Sequence, residues 1–271
     1  MQYMLTKNEE RIAEEWKKYQ GYTVRPLSST TNYYRKVIQQ NTHKENFLLY
    51  GGTPEIRSIF QELALSLTML DRSSEIVRAM GRLTAEKIPI AANEQLINLD
   101  WLYLESLERT FDFVIGDDAI NMVRWTDFEL FLTNTQKLLA DDGVFICHLL
   151  VKPDDALIEQ RFSDLINQYN HQLIPSHFDL ASRLNFICFE KTTYTMGWQR
   201  TINIIGKDNL AVLKPHFNFV DLFGFCNSYF CCPPRLQFEQ LVRKYFCIEE
   251  IFYPYEHEYC RFEPIYFLRK L

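Results

Sequence analysis

The chain lacks the features that would put it in or across a membrane. No stretch approaches the roughly 18 consecutive apolar residues needed to span a bilayer, and the opening MQYMLTKNEERIAEEW has no apolar core of signal-peptide length. A cytoplasmic protein without a membrane partner is expected. Disulfides are not expected either. The seven cysteines, Cys147, Cys188, Cys226, Cys231, Cys232, Cys247 and Cys260, are odd in number and include no C-x-x-C pair and no matching His spacing. They read as reduced core thiols rather than metal ligands, with Cys226, Cys231 and Cys232 the one close group. Lysine and arginine form no stripe, the net charge is -6 and the sequence pI is near 5.6, so a large nucleic-acid footprint is not indicated. Glycine is scarce, nine in 271 residues, which gives weight to the Gly51-Gly52 pair.

What is present suits a sizeable core: 47% of the residues are apolar. Residues 9–20, EERIAEEWKKYQ, carry Ile12, Trp16 and Tyr19 at helical spacing. Gly21 and Pro26 break this helix, and a second, over SSTTNYYRKVIQQN, carries Tyr33, Tyr34 and Val37. From Phe47 the pattern changes to short apolar runs, FLLYG, SLTMLD, INLD, FDFVIGDD and GVFICHLLV, alternating with helical segments over 54–65, 74–81 and 126–140. Such alternation implies parallel strands with crossover helices, a doubly wound α/β fold with ligands at the carboxyl ends of the strands. After Val151 it stops: 154–170 and 176–191 read as helices, an aromatic-rich stretch follows to about Cys232, and PPRLQFEQLVRKYF opens a further helix. FCIEEIFYPY and EPIYFLRK read as an antiparallel hairpin at the sheet edge, their connection being too short for a parallel crossover.

The stretch FLLYGGTPEIRSIF, residues 47–60, is a strand, a glycine turn and a helix. Gly51 suits the tight turn and Gly52 a close backbone approach, while Thr53 is a natural N-cap and Pro54 suits the first helical position. Glu55 then places a carboxylate in the first turn, where a bound phosphate would be repelled. A cationic, phosphate-free adenosine cofactor meets no such penalty, although a glutamate there also simply stabilises a helix. Asp71 ends the next run, placed to accept both hydroxyls of a ribose or to cap the helix that follows. Asp100, closing INLD, reads either as an acceptor for an adenine amino group, with Trp101 or Leu102 over the ring, or as a turn aspartate. Asp117 and Asp118 close the fourth strand.

The order LLYGGTPE, TMLDRSSEIV, NLDWLYL, FDFVIGDD and LLADDGVFICHLLV, followed by a closing hairpin, resembles the class I S-adenosyl-L-methionine-dependent methyltransferases. The resemblance covers residues 47–151 directly, with the hairpin from about 245 to 270 matching the family's sixth and reversed seventh strands. The first motif is a G-x-T-P-E variant, with Thr53 and Glu55 where glycines are usual. The resemblance implies a Rossmann-like seven-stranded sheet, mostly parallel with an antiparallel last strand. It also implies S-adenosyl-L-methionine as cofactor and S-adenosyl-L-homocysteine as product. Gly51, Gly52 and Thr53 would lie at the methionine portion, Asp71 with Arg72 at the ribose, Asp100 with Trp101 at the adenine, and Asp117 at the amino or methyl end.

Methyl transfer is an in-line displacement that needs alignment, exclusion of water and at most one general base. Candidate bases are Asp117, Asp118 and His148, the last also readable as a core histidine; His177 lies in the insertion where an acceptor would bind and reads foremost as a surface histidine. VIGDDAIN differs from the Asn/Asp-Pro-Pro-Tyr or Phe signature of nucleic-acid amino-methylating enzymes, so a small-molecule acceptor, methylated on O or N, is expected. The expected organisation is a helical cap over 1–45 lying as a lid on the cofactor, a cofactor-binding core over 46–151, an acceptor-binding insertion over 152–240 and a strand hairpin over 241–271. Two other readings stand beside this one: a methyltransferase-like binding or scaffold protein, and an NAD-dependent oxidoreductase.

Overall fold

The computed structural model describes residues 6–17, 25–213 and 230–271, which form two compact units. The first comprises Met1–Ile120, Thr126–Leu149 and Phe238–Leu271; the second comprises Asn121–Trp125 and Leu150–Gln237.

The first unit is built on a seven-stranded sheet. Its strands are β1 (Phe47–Tyr50), β2 (Leu67–Leu70), β3 (Glu94–Ile97), β4 (Phe111–Asp117), β5 (Leu139–His148), β8 (Phe246–Phe252) and β9 (Ile265–Lys270), in the order β3-β2-β1-β4-β5-β9-β8. The first five pair in parallel, and β9 pairs antiparallel with both β5 and β8. Every residue of β1 and β2 is buried, as a parallel sheet covered on both faces requires. The edge strand β8 instead carries exposed Cys247 and outward-facing glutamates, charge that discourages pairing with a foreign strand.

The expected seven-stranded sheet with a reversed last strand is thus what forms. The helical segments hold, with trimmed ends: α3 (Pro54–Glu62), α4 (Ser74–Gly81) and α5 (Phe128–Leu138). The third strand differs. It ends at Ile97, so Asp100 lies in the following loop, and no helix occupies the crossover from β3 to β4.

The leading helices are α1 (Lys7–Lys17) and α2 (Ser28–Gln40). Thr6 and Glu9 form a reciprocal capping box at the start of α1: the Glu9 N–H donates to Thr6 Oγ1 at 3.2 Å and the Thr6 N–H to Glu9 Oε2 at 2.7 Å. Glu9 also takes the Arg78 Nε–H at 2.6 Å, fastening α1 to α4. Tyr19 and Gly21 lie outside the described residues. Helix α2 packs into the core: Tyr33, Tyr34, Val37 and Ile38 belong to the same buried cluster as Leu49, Ile56, Phe113 and Ile146.

Inside this core lies one fully buried ion pair, Arg57 on α3 with Glu94 on β3. Arg57 Nε and Nη2 meet the two carboxylate oxygens at 2.9 and 2.6 Å, and its Nη1 and Nη2 also donate to the carbonyls of Val77 and Pro89. Gln61 and the Ala91 N–H complete the shell of Glu94. Such a pair is tolerated only because its donors and acceptors are matched.

The second unit contains α6 (Asp155–Ile158), α7 (Phe162–Asn170), α8 (His177–Phe186) and α9 (Trp198–Ile205), with β6 (Thr195–Met196) and β7 (Phe230–Cys231) as a two-stranded antiparallel pair. The single helix expected over 154–170 is two, parted at 159–161. The buried Asn121 amide ties three segments together: Nδ2 donates to the carbonyls of Leu150 and Cys231, and Oδ1 accepts the Leu150 N–H. Among the aromatics of this stretch, Phe217, Phe219, Phe223, Phe225 and Tyr229 lie outside the described residues. Phe186 is buried, and Tyr194 packs edge-on against Trp125 at 5.9 Å.

Arg57→Ala leaves Glu94 buried without its cation and is expected to cost about 3–5 kcal/mol in urea unfolding. A loss below about 1 kcal/mol would show that the pair does not organise the α3–β3 interface.

Candidate active site

Strand register assembles the site. Tyr50 lies opposite Leu70 on β2 and Gly116 on β4, so Gly51, Asp71 and Asp117 emerge together at one end of the sheet. Asp117 is the parallel partner of His148, and His148 is the antiparallel partner of Ile265. The turn just before β9, with Glu263, therefore joins the same end.

Asp117 is the hub. Its Oδ1 accepts the Tyr34 hydroxyl at 2.7 Å and lies 2.9 Å from His148 Nδ1, and its Oδ2 accepts the Thr53 hydroxyl at 3.1 Å. Protein donors thus occupy both oxygens. Asp118, the next residue, adopts φ +54, and its Oδ1 lies 3.7 Å from His148 Nδ1 with no hydrogen-bond partner among the described residues. Burial pushes its carboxyl up to about 6, against the pull of His148. Burial acts on His148 in the opposite direction, but the carboxylates of Asp118 and Asp117 outweigh it and hold the imidazole at about 9. At neutral pH His148 is therefore an imidazolium between two carboxylates. Its Nε2 has no partner among the described residues. Glu263, 5% exposed, is pushed up to about 8 by burial, opposed by the His148 charge.

The glycine turn departs from expectation in three ways. Gly51, at φ +84, needs its glycine for conformation, and a Cβ there would lie 3.8 Å from Asp71 Oδ2. Gly52 admits a helix rather than a ligand: a Cβ would meet the Val77 Cα of α4 at 3.1 Å. Thr53 occupies the N-cap position without capping α3, because its hydroxyl serves Asp117. Glu55 does not stand as a bare charge, since the Arg25 guanidinium pairs with its Oε1, Nε at 2.8 Å. Burial nonetheless raises its carboxyl above the ordinary range.

Asp71 follows the last residue of β2. Its Oδ1 accepts the Ser73 N–H at 2.7 Å, and burial raises its carboxyl. Ser73 in turn caps α4. Asp100 holds the Leu102 N–H at 3.0 Å as a turn aspartate does, and lies 3.7 Å from the exposed Arg72. Trp101 is engaged in the fold: its indole N–H donates to the Leu70 carbonyl at 2.7 Å and its ring packs beside Tyr50 and Phe131. His177 belongs to the second unit, at the start of α8. Cys231 and Cys232 are buried free thiols, and Cys226 lies outside the described residues.

Arg25 and Glu263 escaped sequence reasoning as site residues, since neither stands in a motif, and Tyr34 was expected only as part of the helical cap over the cofactor, not as a partner of Asp117.

No family model matches the chain, and no curated protein sequence matches it. Solved structures do. A Rhodobacter sphaeroides protein described provisionally as a Zn-dependent alcohol dehydrogenase superposes with TM-score 0.59 at 14% identity, covering 96% of this chain and 99% of its own. The 1,6-didemethyltoxoflavin-N1-methyltransferase of Burkholderia thailandensis, crystallised with S-adenosylhomocysteine, superposes with TM-score 0.52 at 9% identity, over 100% and 92% of the two chains. The magnesium protoporphyrin IX methyltransferase of Synechocystis PCC 6803 gives 0.50 at 8% identity, over 100% and 90%. The chain has the Rossmann-like fold of class I methyltransferases.

His148 has its folded pKa raised to about 9 from 6.5, so its stabilisation is complete below pH 6.5 and is lost as pH rises through 9. At about 1.4 kcal/mol per pH unit of separation, urea stability is expected to fall by roughly 3 kcal/mol between pH 7 and 10. This fall should be flattened in His148→Gln. Asp118 is already ionised across that window, and Glu263, raised to about 8, adds a smaller loss of its own between pH 7 and 8. A wild-type profile that does not steepen relative to the variant would refute the imidazolium.

Proposed function

We propose that this chain is an S-adenosyl-L-methionine-dependent methyltransferase acting on an O or N atom of a small molecule. The observation that carries the reading is the alignment at one sheet end of the Gly51 turn, the Asp71 carboxylate 3.8 Å from where a Gly51 Cβ would stand, and the Asp117–Asp118 pair. The donor set fits such a cofactor. Asp71, Asp117 and Asp118 face the single imidazolium of His148, and Glu55 is matched by Arg25, so the strand ends carry net negative charge. That field favours a sulfonium and an ammonium and opposes a pyrophosphate.

When bound, the cofactor supplies a methyl group activated by its sulfonium. The chain's residues hold and orient the reactants. Asp71, with Oδ1 engaged by Ser73, offers Oδ2 to the ribose hydroxyls. Asp100, Arg72 and Trp101 border the adenine end, and Gly51, Gly52 and Thr53 border the methionine end. Asp117, saturated by Tyr34, Thr53 and His148, positions the others and takes no proton. Asp118 is the base: ionised at neutral pH, it has an oxygen with no donor on it and accepts the proton of an O or N nucleophile. His148, already protonated, keeps that carboxylate charged.

One observation favours a second reading, a nicotinamide-dependent oxidoreductase: the Rhodobacter structure that superposes over nearly the whole chain is described as a dehydrogenase. Against it, the dinucleotide-binding sheet continues with a sixth parallel strand beyond the fifth, whereas here the strand beside β5 is antiparallel.

Calorimetric titration with S-adenosylmethionine, S-adenosylhomocysteine and NAD separates these readings. Binding of the first two alone is expected. Binding of NAD alone would overturn the proposal, and binding of none would point to a non-catalytic scaffold. Asp71→Ala is expected to weaken S-adenosylhomocysteine by about 30-fold or more, the ~2 kcal/mol of hydrogen bonds to a charged group, with the thermal transition retained. Asp118→Asn is expected to leave cofactor affinity within about threefold, since hydrogen bonding to the cofactor is not its role, and to abolish base-dependent turnover.

A further inference from the structure

The turn before β9 holds three side chains of the kinds that bind soft and borderline metals. His257, Cys260 and Glu263 are spaced three apart around the 3-10 helix Glu258–Phe262, with His257 as its N-cap and Glu263 as its C-cap. At three residues per turn, positions i, i+3 and i+6 stack on one face. A ring nitrogen of His257, Cys260 Sγ and a carboxylate oxygen of Glu263 all lie within 4.8 Å of one another. Cys260 is 1% exposed and Glu263 5%.

Glu263 has no hydrogen-bond donor on its carboxyl among the described residues, and the charges acting on it are His148, Asp118, Asp117 and Glu256. Three of those four are acidic. His257 Nδ1 accepts the Tyr259 N–H at 3.2 Å.

We propose that His257, Cys260 and Glu263 form a three-ligand site for a divalent transition metal. The mixed nitrogen, sulfur and oxygen donors suit Zn²⁺, with a fourth tetrahedral position left to water or a ligand. Binding M²⁺ displaces the thiol proton of Cys260 to solvent, and the metal's two charges are met by the thiolate and the Glu263 carboxylate. The absence of any C-x-x-C spacing hides this site from sequence reasoning, because its ligands are set by a 3-10 turn.

The test uses the full chain, stripped with chelator and titrated with Co²⁺. One equivalent is expected to bind with the intense visible bands of tetrahedral cobalt and a near-ultraviolet thiolate-to-cobalt band. Cys260→Ser should abolish the thiolate band, and Glu263→Gln should weaken binding by about tenfold or more. Cys247→Ser, which removes the exposed thiol on β8, should change neither. Zinc X-ray absorption on the loaded wild-type chain should show one sulfur at about 2.3 Å, a readout that does not depend on any variant folding. Failure to bind cobalt, a thiolate band that survives in a folded Cys260→Ser, or zinc without a sulfur neighbour would overturn the site. None of these results bears on cofactor binding at the β1 and β2 ends.

Discussion

The carboxylate of Asp117 is where fold and site become the same problem. It is a buried anion, and an isolated buried carboxylate is prohibitively expensive. Three donors from three separate elements make it tolerable: Tyr34 from α2, Thr53 from the turn after β1 and His148 from β5. Each contact fixes a piece of architecture. Tyr34 draws α2 down onto the sheet, Thr53 sets the path of the glycine turn and surrenders its capping role to do so, and His148 is locked into one ring orientation. Truncating Asp117 would orphan three donors at once, so the residue cannot be judged by any single contact.

Helix α3 shows how one short element serves two environments. Glu55 and Arg57 are two residues apart, about 200° around the helix, and so look in opposite directions. Glu55 turns toward the carboxyl ends of the strands, where Arg25 meets it. Arg57 turns inward, where Glu94 and two carbonyls absorb its charge. The first pair tempers the field where a ligand would sit. The second pins β3, an edge strand whose other residues are exposed or only partly buried. Gly52 belongs to the same arrangement, since the close approach of the turn to Val77 on α4 leaves no room for a Cβ.

The strands were legible because apolar runs bounded by polar residues leave few alternatives, and the reversed last strand because the connection between β8 and β9 is too short for a crossover. The acidic residues at the strand ends were legible for the same reason. What could not be read were the partners. Tyr34 and Asp117 are 83 residues apart, Arg25 and Glu55 30, Thr53 and Asp117 64, and nothing local encodes those pairings. Local rules also misled where tertiary contacts overrode them. Thr53 has the composition of an N-cap but a better acceptor elsewhere. Asp100 seemed to end a strand that stops three residues earlier.

The ionisation pattern at the sheet end follows from register rather than from any one residue's chemistry. Parallel pairing puts Asp117 beside His148, chain continuity puts Asp118 next to Asp117, and antiparallel pairing brings Glu263 within two residues of His148's partner Ile265. Two adjacent carboxylates would ordinarily push one another toward the neutral form. The His148 imidazolium, 2.9 Å from Asp117 and 3.7 Å from Asp118, opposes that push on Asp118, and the field of the two aspartates is what raises His148 in turn. Glu263, with less help from that cation, is displaced furthest. The same sheet end therefore holds acids spread from about 6 to about 8 around one base near 9. Environments that separate like groups in this way are how a fold assigns a proton acceptor and a spectator from identical side chains, and under the proposed function the acceptor is Asp118, because each Asp117 oxygen already has a protein donor on it.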